Sequence, residues 1–131
     1  MVFMLIAEVS TRYDISHDTL RYYERIGLIP KVHRNKSGLR DYTEEDCKWV
    51  EFSKCMRSAG LPIEILIEYV ALFQQGDATI AARKELLIEQ RRKLCEKQEA
   101  MKKTIDRLDY KIKRYDSLVI GKEHELKGTK D

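Results

Sequence analysis

The chain is 131 residues long and carries 25 Lys and Arg residues against 22 Asp and Glu residues, a formal net charge of only +3. With 36% charged and 43% hydrophobic residues, it has enough apolar material for one compact domain with a long extension. The composition excludes collagen-like and low-complexity chains, and the small net charge excludes a polycationic tail that binds nucleic acid by charge alone. Six Gly and two Pro are few helix breakers, so we expect a mainly helical protein.

The three cysteines, Cys47, Cys55 and Cys95, are an odd number and lie far apart without a CxxC motif. Such a set is a poor disulfide framework and is typical of a reducing compartment. The apolar start MVFMLIAEV has no basic residue and reaches Glu8 too soon for a signal peptide or a membrane span. We therefore expect a cytoplasmic protein without membrane association.

The first two predicted helices form a helix-turn-helix. Ile6, Val9 and Tyr13 recur at helical spacing, which predicts a first helix. Ser16 is a good N-cap for a second helix, which Gly27 ends. Two helices joined by so short a turn are typical of DNA-binding helix-turn-helix motifs.

A short ribbon and two further helices follow. Residues 32–34 and 39–42 flank a turn marked by Asn35 and Gly38, which predicts a two-stranded wing. Thr43 begins a capping box for the next helix. That helix ends near residue 60, and a fourth helix follows with an apolar face. Its members are Ile63, Leu66, Ile67, Val70 and Phe73.

A long helix without Gly or Pro is predicted from Thr79 to Leu118, about 60 Å at 1.5 Å per residue. The heptad d positions are all apolar or aromatic: Ile80, Leu87, Leu94, Met101, Leu108 and Tyr115. The a positions are polar in the first half and apolar in the second: Lys84, Arg91, Gln98, Ile105, Ile112 and Val119. We expect the second half to form a two-stranded coiled coil, parallel or antiparallel, and the first half to pack against another part of the protein.

These patterns divide the chain into three predicted segments. Residues 1–75 form a winged helix-turn-helix domain, and residues 76–120 form the dimerisation helix. Residues 121–131 are polar and are expected to be a flexible tail.

Motifs of enzymes and metal sites are missing from the sequence. The three histidines lie in different segments, and there is no HExxH, GxSxG, P-loop or GxGxxG motif. We therefore expect neither an enzyme nor a bound metal or cofactor.

A local basic patch lies between Ser16 and Arg40, where six basic residues stand against two acidic ones. Cations on a helix and a following ribbon are suited to DNA, since the counterions released from phosphates supply affinity. Tyrosine hydroxyls in and after the patch can bind phosphates, and the first turn of the second helix can enter a major groove. A basic helical hairpin with buried tyrosines remains the alternative.

The segment from Ile6 to Tyr42 resembles the DNA-binding start of the MerR family of bacterial transcription regulators. The motifs that carry the resemblance are Ser16-x-x-Thr19-Leu20-Arg21-Tyr22-Tyr23-Glu24, Gly27-Leu28-Ile29, Arg34, Arg40-x-Tyr42 and, for a second wing, Met56 to Ile63. The resemblance implies a homodimer joined by an antiparallel coiled coil. It further implies a pseudo-palindromic promoter whose −35 and −10 elements are too far apart, distorted so that RNA polymerase can use it.

Together, the basic patch and the resemblance assign candidate DNA contacts to the second helix and the two wings. These are Ser16, Thr19, Arg21, Tyr22, Tyr23, Arg34, Lys36, Arg40, Tyr42 and Arg57. For Tyr23, a core position is an equal alternative.

Cys55 is the candidate sensor residue. Lys54 and Arg57 are close in sequence and would favour a reactive thiolate. The short tail and this segment resemble a MerR subgroup with one functional cysteine, which implies a response to aldehydes, other electrophiles or oxidants. For Cys55 itself, the alternative is a buried, inert residue. For the signal, the alternative is a non-covalent ligand bound between the long helix and the DNA-binding domain. For the whole protein, the alternative is a coiled-coil scaffold that binds no DNA. Cys47 is expected in the core and Cys95 at an interface or on the surface.

Overall fold

The computed structural model describes residues 3–128, with side chains described for residues 3–123. This part is mainly α-helical, as predicted, with one small antiparallel sheet. The elements in chain order are α1 (Ile6–Tyr13), α2 (His17–Ile26), β1 (His33–Arg34), β2 (Arg40–Asp41), α3 (Glu44–Ser58), α4 (Ile63–Gln74), a 3-10 turn (Asp77–Thr79) and α5 (Ile80–Gly128).

The helix-turn-helix of α1 and α2 is confirmed, together with the local signals that predict it. Asp14 ends α1 in the left-handed region at φ 53°, a conformation that Asp tolerates better than most residues. The Ser16 hydroxyl accepts a hydrogen bond from the Thr19 amide at 3.1 Å and so caps α2. Gly27 ends α2 at φ 84°, again left-handed. Val9 and Leu20 are fully buried where the two helices meet the core.

The wing is the predicted ribbon, and the N-terminal segment is attached to it. In the ladder, His33 pairs with Asp41 and Arg34 pairs with Arg40. Met4 and Tyr42 exchange two backbone hydrogen bonds of 2.8 Å beside the ladder. These bonds fix the start of α1 next to the wing.

Helices α3 and α4 complete the core around the helix-turn-helix. The Thr43 capping box is present, with Asp46 in the place of the more usual Glu or Gln. Leu66 and Val70 of α4 are buried as predicted, but Phe73 is 42% exposed. Phe73 instead joins an aromatic cluster with Trp49, Phe52 and Tyr69, whose ring centroids lie 5.0–6.2 Å apart.

Helix α5 is longer than predicted. It runs for 49 residues and continues through Gly121 to Gly128, so the prediction of a flexible tail from residue 121 is wrong for residues 121–128. A single helical Gly costs only about 1 kcal/mol relative to Ala, and the good helix formers Lys122 and Glu123 follow Gly121 directly. Residues 129–131 lie outside the described part of the chain.

By its internal contacts the chain forms two compact units, Met1–Ile88 and Glu89–Asp131, whose boundary falls within α5. None of the helices in residues 3–128 combines the length and the hydropathy that crossing a membrane requires.

Candidate nucleic-acid interface

The exposed face of α2 carries two of the candidates, Arg21 and Tyr22. Arg21 is exposed and its guanidinium contacts Asp18 at 3.2 Å, a weak pair on the helix surface. Tyr22 is 39% exposed, and the Arg25 guanidinium lies 5.4 Å from the centre of its ring. This face therefore presents two arginines and an aromatic hydroxyl to solvent.

The tip of the wing presents further cations. Arg34 is exposed and donates a hydrogen bond to the Gly38 carbonyl at 3.0 Å, which holds its guanidinium over the turn. The Asn35 side chain accepts from the Ser37 and Leu39 amides, and Gly38 takes φ 81°, so the turn is tightly defined. Lys36 is exposed within this turn.

Three arginines from the helix and the wing line one cleft of about 200 Å³: Arg21, Arg34 and Arg40. Residues 5–7 at the start of α1 form another wall of this cleft. Leu5 is the N-cap of α1 and provides no capping side chain, so the first amides of α1 need another partner. Guanidinium groups bind phosphate in a directed, charge-assisted way, and a cleft lined by three of them is suited to the phosphates of a nucleic acid.

Arg40 has a structural role beside its predicted role in DNA contact. Its Nε donates to the Glu24 carboxylate at 2.6 Å, and the two side chains are only 19% and 9% exposed. The second oxygen of Glu24 accepts from the Val32 amide at 3.1 Å. Glu24 thus fixes α2 to both sides of the wing. The sequence reasoning missed this residue, although it lies inside the motif that predicts the recognition helix.

Two of the predicted tyrosine contacts are buried. Tyr42 has no exposed surface, so the prediction that its hydroxyl contacts phosphate is wrong. Tyr23 is 9% exposed, which favours the core position over DNA contact. Both rings bury a large apolar area against the domain, and this gain outweighs the cost of removing one hydroxyl from water.

The buried Tyr42 hydroxyl predicts a pH dependence of stability. Burial is the main cause that raises the pKa of Tyr42 from 10.0 to about 12, and this hydroxyl has no hydrogen-bond partner within the described residues. Because the folded state holds the proton more tightly, Tyr42 contributes stability that is complete below pH 10 and is lost as the pH rises towards 12. Urea unfolding of wild type and Tyr42→Phe should show a free-energy difference that is constant below pH 10 and changes above it.

The other tyrosines are present in both wild type and Tyr42→Phe, so their pH-dependent contributions to stability cancel in the difference. If the free energies of unfolding of the two proteins differ by the same amount throughout the alkaline range, this assignment is contradicted. DNA affinity should be unchanged in the variant, because the hydroxyl does not reach the surface.

The second-wing candidate, Arg57, is exposed near the end of α3. It donates a hydrogen bond to the Leu61 carbonyl at 2.6 Å, across the turn between α3 and α4. Its predicted contact with DNA stays a prediction.

The cysteines divide into one buried and two exposed side chains. Cys47 is in the core as predicted, and burial raises the pKa of its thiol. Cys55 is exposed, so the alternative that it is a buried core residue is wrong, and its reactivity stays a prediction. Of the two neighbouring cations, Lys54 donates to the Tyr13 carbonyl and Arg57 to the Leu61 carbonyl. Cys95 is exposed on α5.

Comparisons with known proteins agree with this architecture. The family model of the MerR HTH family regulatory proteins matches residues 4–72. The HTH-type transcriptional regulator AdhR of Bacillus subtilis (strain 168) is 58% identical over 93 residues, which cover 71% of this chain and 66%, just under two thirds, of that protein. The crystal structure of a MerR family transcriptional regulator from Listeria monocytogenes is similar with a TM-score of 0.90 at 50% identity, covering 95% of this chain and 94% of that one.

A further solved structure is similar over most of both chains. HiNmlR, a MerR family regulator lacking the sensor domain and bound to promoter DNA in its crystal structure, has a TM-score of 0.77 at 30% identity. The match covers 88% of this chain and 92% of that chain. A helix-turn-helix with a wing, followed by a long helix, is the architecture that this chain shares with these transcriptional regulators. The chain belongs to the MerR family of helix-turn-helix regulatory proteins.

Proposed function

We propose that this regulator binds a pseudo-palindromic promoter as a homodimer and activates transcription by distorting the DNA between the −35 and −10 elements. The cleft between Arg21, Arg34 and Arg40 is the observation that carries the proposal, because it joins the recognition helix to the wing at a site suited to backbone phosphate. The similarity to HiNmlR, which is bound to promoter DNA, supports it. RNA polymerase at the promoter is the second partner, and the protein acts in the cytoplasm, where that DNA lies.

The side chains around the cleft have separate roles in this proposal. Arg21 and Arg34 reach phosphates from the helix and the wing, and Tyr22 adds a hydroxyl beside them. Ser16 is the N-cap of α2 and Thr19 lies in the first turn, where side chains enter the major groove. Lys36 and Arg57 extend the contact along the duplex from the two wings, and Arg40 holds the wing against α2.

The signal that switches the regulator is proposed to act on Cys55. Its thiol is exposed near the C-terminal end of α3, so electrophiles or oxidants have access to it. Modification there would shift α3 relative to the two wings and so change the distortion of the DNA. The alternative is a non-covalent ligand. An aromatic cleft of about 200 Å³ between α3 and α4 favours that alternative, with Trp49, Tyr69 and Phe73 among its walls.

Transcription in vitro from a promoter that the regulator binds tests both parts of the proposal. Wild type should raise transcription when an aldehyde is added, and Cys55→Ser should keep basal DNA binding but lose the response. Cys95→Ser is the matched control, because it removes another exposed thiol. A Cys55→Ser protein that still responds, with no adduct in the mass spectrum of wild type, would favour a non-covalent ligand. No effect of the protein on transcription would contradict the proposed function itself.

A further inference from the structure

The proposed function does not use a cleft of about 500 Å³ at the base of the wing. This wing-base cleft is lined by residues 24–27 at the end of α2, by Ile29 and Lys31 in the segment before the wing, by Arg40, and by α4. Its volume lies within the range of small-molecule sites, about 300–1,000 Å³. It shares no lining residue with the aromatic cleft between α3 and α4, so it is a separate candidate site.

One part of the wing-base cleft is apolar. Ile29 and Val70 are only 1% and 3% exposed, and Ile26 and Ile67 are half-buried. All four side chains line the cleft, and they come from α2, from the segment after it and from α4. Apolar surface of this kind favours a ligand that removes apolar area of its own from water. The ligand should therefore have an apolar body.

The other walls of the wing-base cleft carry an excess of positive charge. The cations Arg25, Lys31 and Arg40 stand against one carboxylate, that of Glu24. Both oxygens of Glu24 already accept hydrogen bonds, one from Arg40 and one from the Val32 amide. Arg25 and Lys31 are exposed and form no salt bridge with any residue in the range 3–123. Guanidinium and ammonium groups bind carboxylates through charge-assisted hydrogen bonds, so the charge favours an anion.

We propose that the wing-base cleft is an effector site for a small organic anion with a carboxylate and an apolar body. The carboxylate binds between Arg25 and Lys31, and the apolar body packs against Ile29 and Val70. The site itself stands on the cleft alone. Its regulatory effect rests on the proposed function, because that effect is a change in DNA binding.

Arg40 connects the wing-base cleft to the cleft of Arg21 and Arg34, because it lines both. Its Nε donates to Glu24, and this pair attaches the wing to α2. An anion in the wing-base cleft competes with Glu24 for the Arg40 guanidinium and neutralises positive charge beside the cleft proposed for DNA phosphate. Both effects weaken DNA binding, and by linkage DNA weakens the binding of the anion by the same factor.

Benzoate and benzamide test the site, because they have nearly the same shape and differ in charge. In isotope-labelled full-length protein without DNA, benzoate should give saturable NMR shifts of the Lys31 and Ala71 amides, and benzamide should not. Combining Arg25→Gln with Lys31→Gln should weaken benzoate binding by about fivefold or more. Lys48→Gln is the matched control, because it removes an exposed lysine from the aromatic cleft, and it should leave benzoate binding unchanged.

DNA binding in the presence of the two probes tests the regulatory effect. Fluorescence anisotropy with promoter duplex at constant ionic strength should show weaker binding in benzoate than in benzamide. Ala71→Trp places a large ring in the wing-base cleft from an exposed position on α4. This variant should keep the DNA affinity of wild type and lose the difference between the two probes.

The other outcomes overturn the proposal in different ways. No saturable shifts with benzoate, or shifts at Trp49 and Tyr69 that Lys31→Gln leaves unchanged, would contradict the site. Benzoate binding in the cleft without an effect on DNA affinity would contradict the regulatory role. If wild type binds no benzoate and the variant with Arg25→Gln and Lys31→Gln loses DNA affinity, the two cations bind DNA phosphate instead. A wild-type protein that does not bind promoter duplex would overturn the proposed function, whereas the NMR shifts would still test the site.

Discussion

Replacing both Arg21 and Arg34 with alanine is expected to weaken binding to promoter duplex by at least about tenfold for each substituted position. Each side chain lines the cleft between α2 and the wing and is exposed, so its charge is available to a phosphate. A hydrogen bond to a charged group contributes roughly 1.5–3 kcal/mol, and a homodimer loses each contact twice. Fluorescence anisotropy with a labelled duplex at constant salt measures the loss.

A matched control separates these contacts from the general charge of the protein. Arg107→Ala removes another exposed arginine, on α5 and outside the cleft, and should change the affinity by less than about twofold. Circular dichroism should be the same for all variants, because neither Arg21 nor Arg34 is buried. Equal affinities for the cleft variants and the control would contradict the assignment of the cleft to phosphate.

Replacing Glu24 with glutamine is expected to lower the free energy of unfolding by about 2–3 kcal/mol. The two carboxylate oxygens accept from Arg40 at 2.6 Å and from the Val32 amide at 3.1 Å, and the glutamine amide can serve only one of these donors. The other donor loses its partner in a site that water scarcely reaches, and the Arg40 charge loses its counterion. Urea unfolding at a fixed protomer concentration measures the difference.

The control for Glu24 is an exposed carboxylate on α4. Glu68→Gln should change the free energy of unfolding by less than about 0.5 kcal/mol, since Glu68 is exposed. If Glu24→Gln were as stable as this control, the pair with Arg40 would not hold the wing against α2. If the folded Glu24→Gln protein also binds DNA more weakly, the position of the wing matters for binding.

The elements of the DNA-binding domain could be predicted from sequence because their signals are local. Ser16 caps α2 with its own side chain, Gly27 ends the same helix with a positive φ, and Thr43 closes a capping box within four residues. Each interaction lies within one turn of the chain, so residue type and spacing suffice to predict it.

The parts that could not be predicted depend on contacts between distant residues. Glu24 and Arg40 are 16 positions apart, and only the folded wing brings them together. Tyr42 is a residue type that can contact DNA through its hydroxyl, but it lies on the buried side of the ribbon. So short a ribbon has too few residues for the sequence pattern to show which side is buried. The continuation of α5 past Gly121 depends on the summed propensity of many helical residues, which a single glycine does not outweigh.

The dependence of DNA affinity on salt concentration tests the central claim most directly. If the cleft cations of a homodimer neutralise phosphates, the logarithm of the association constant falls linearly with the logarithm of the salt concentration. Removing Arg21 and Arg34 from both protomers should then lower the magnitude of that slope by about 3 to 4, at roughly 0.9 per phosphate contact. Parallel lines for wild type and the double variant would contradict the account.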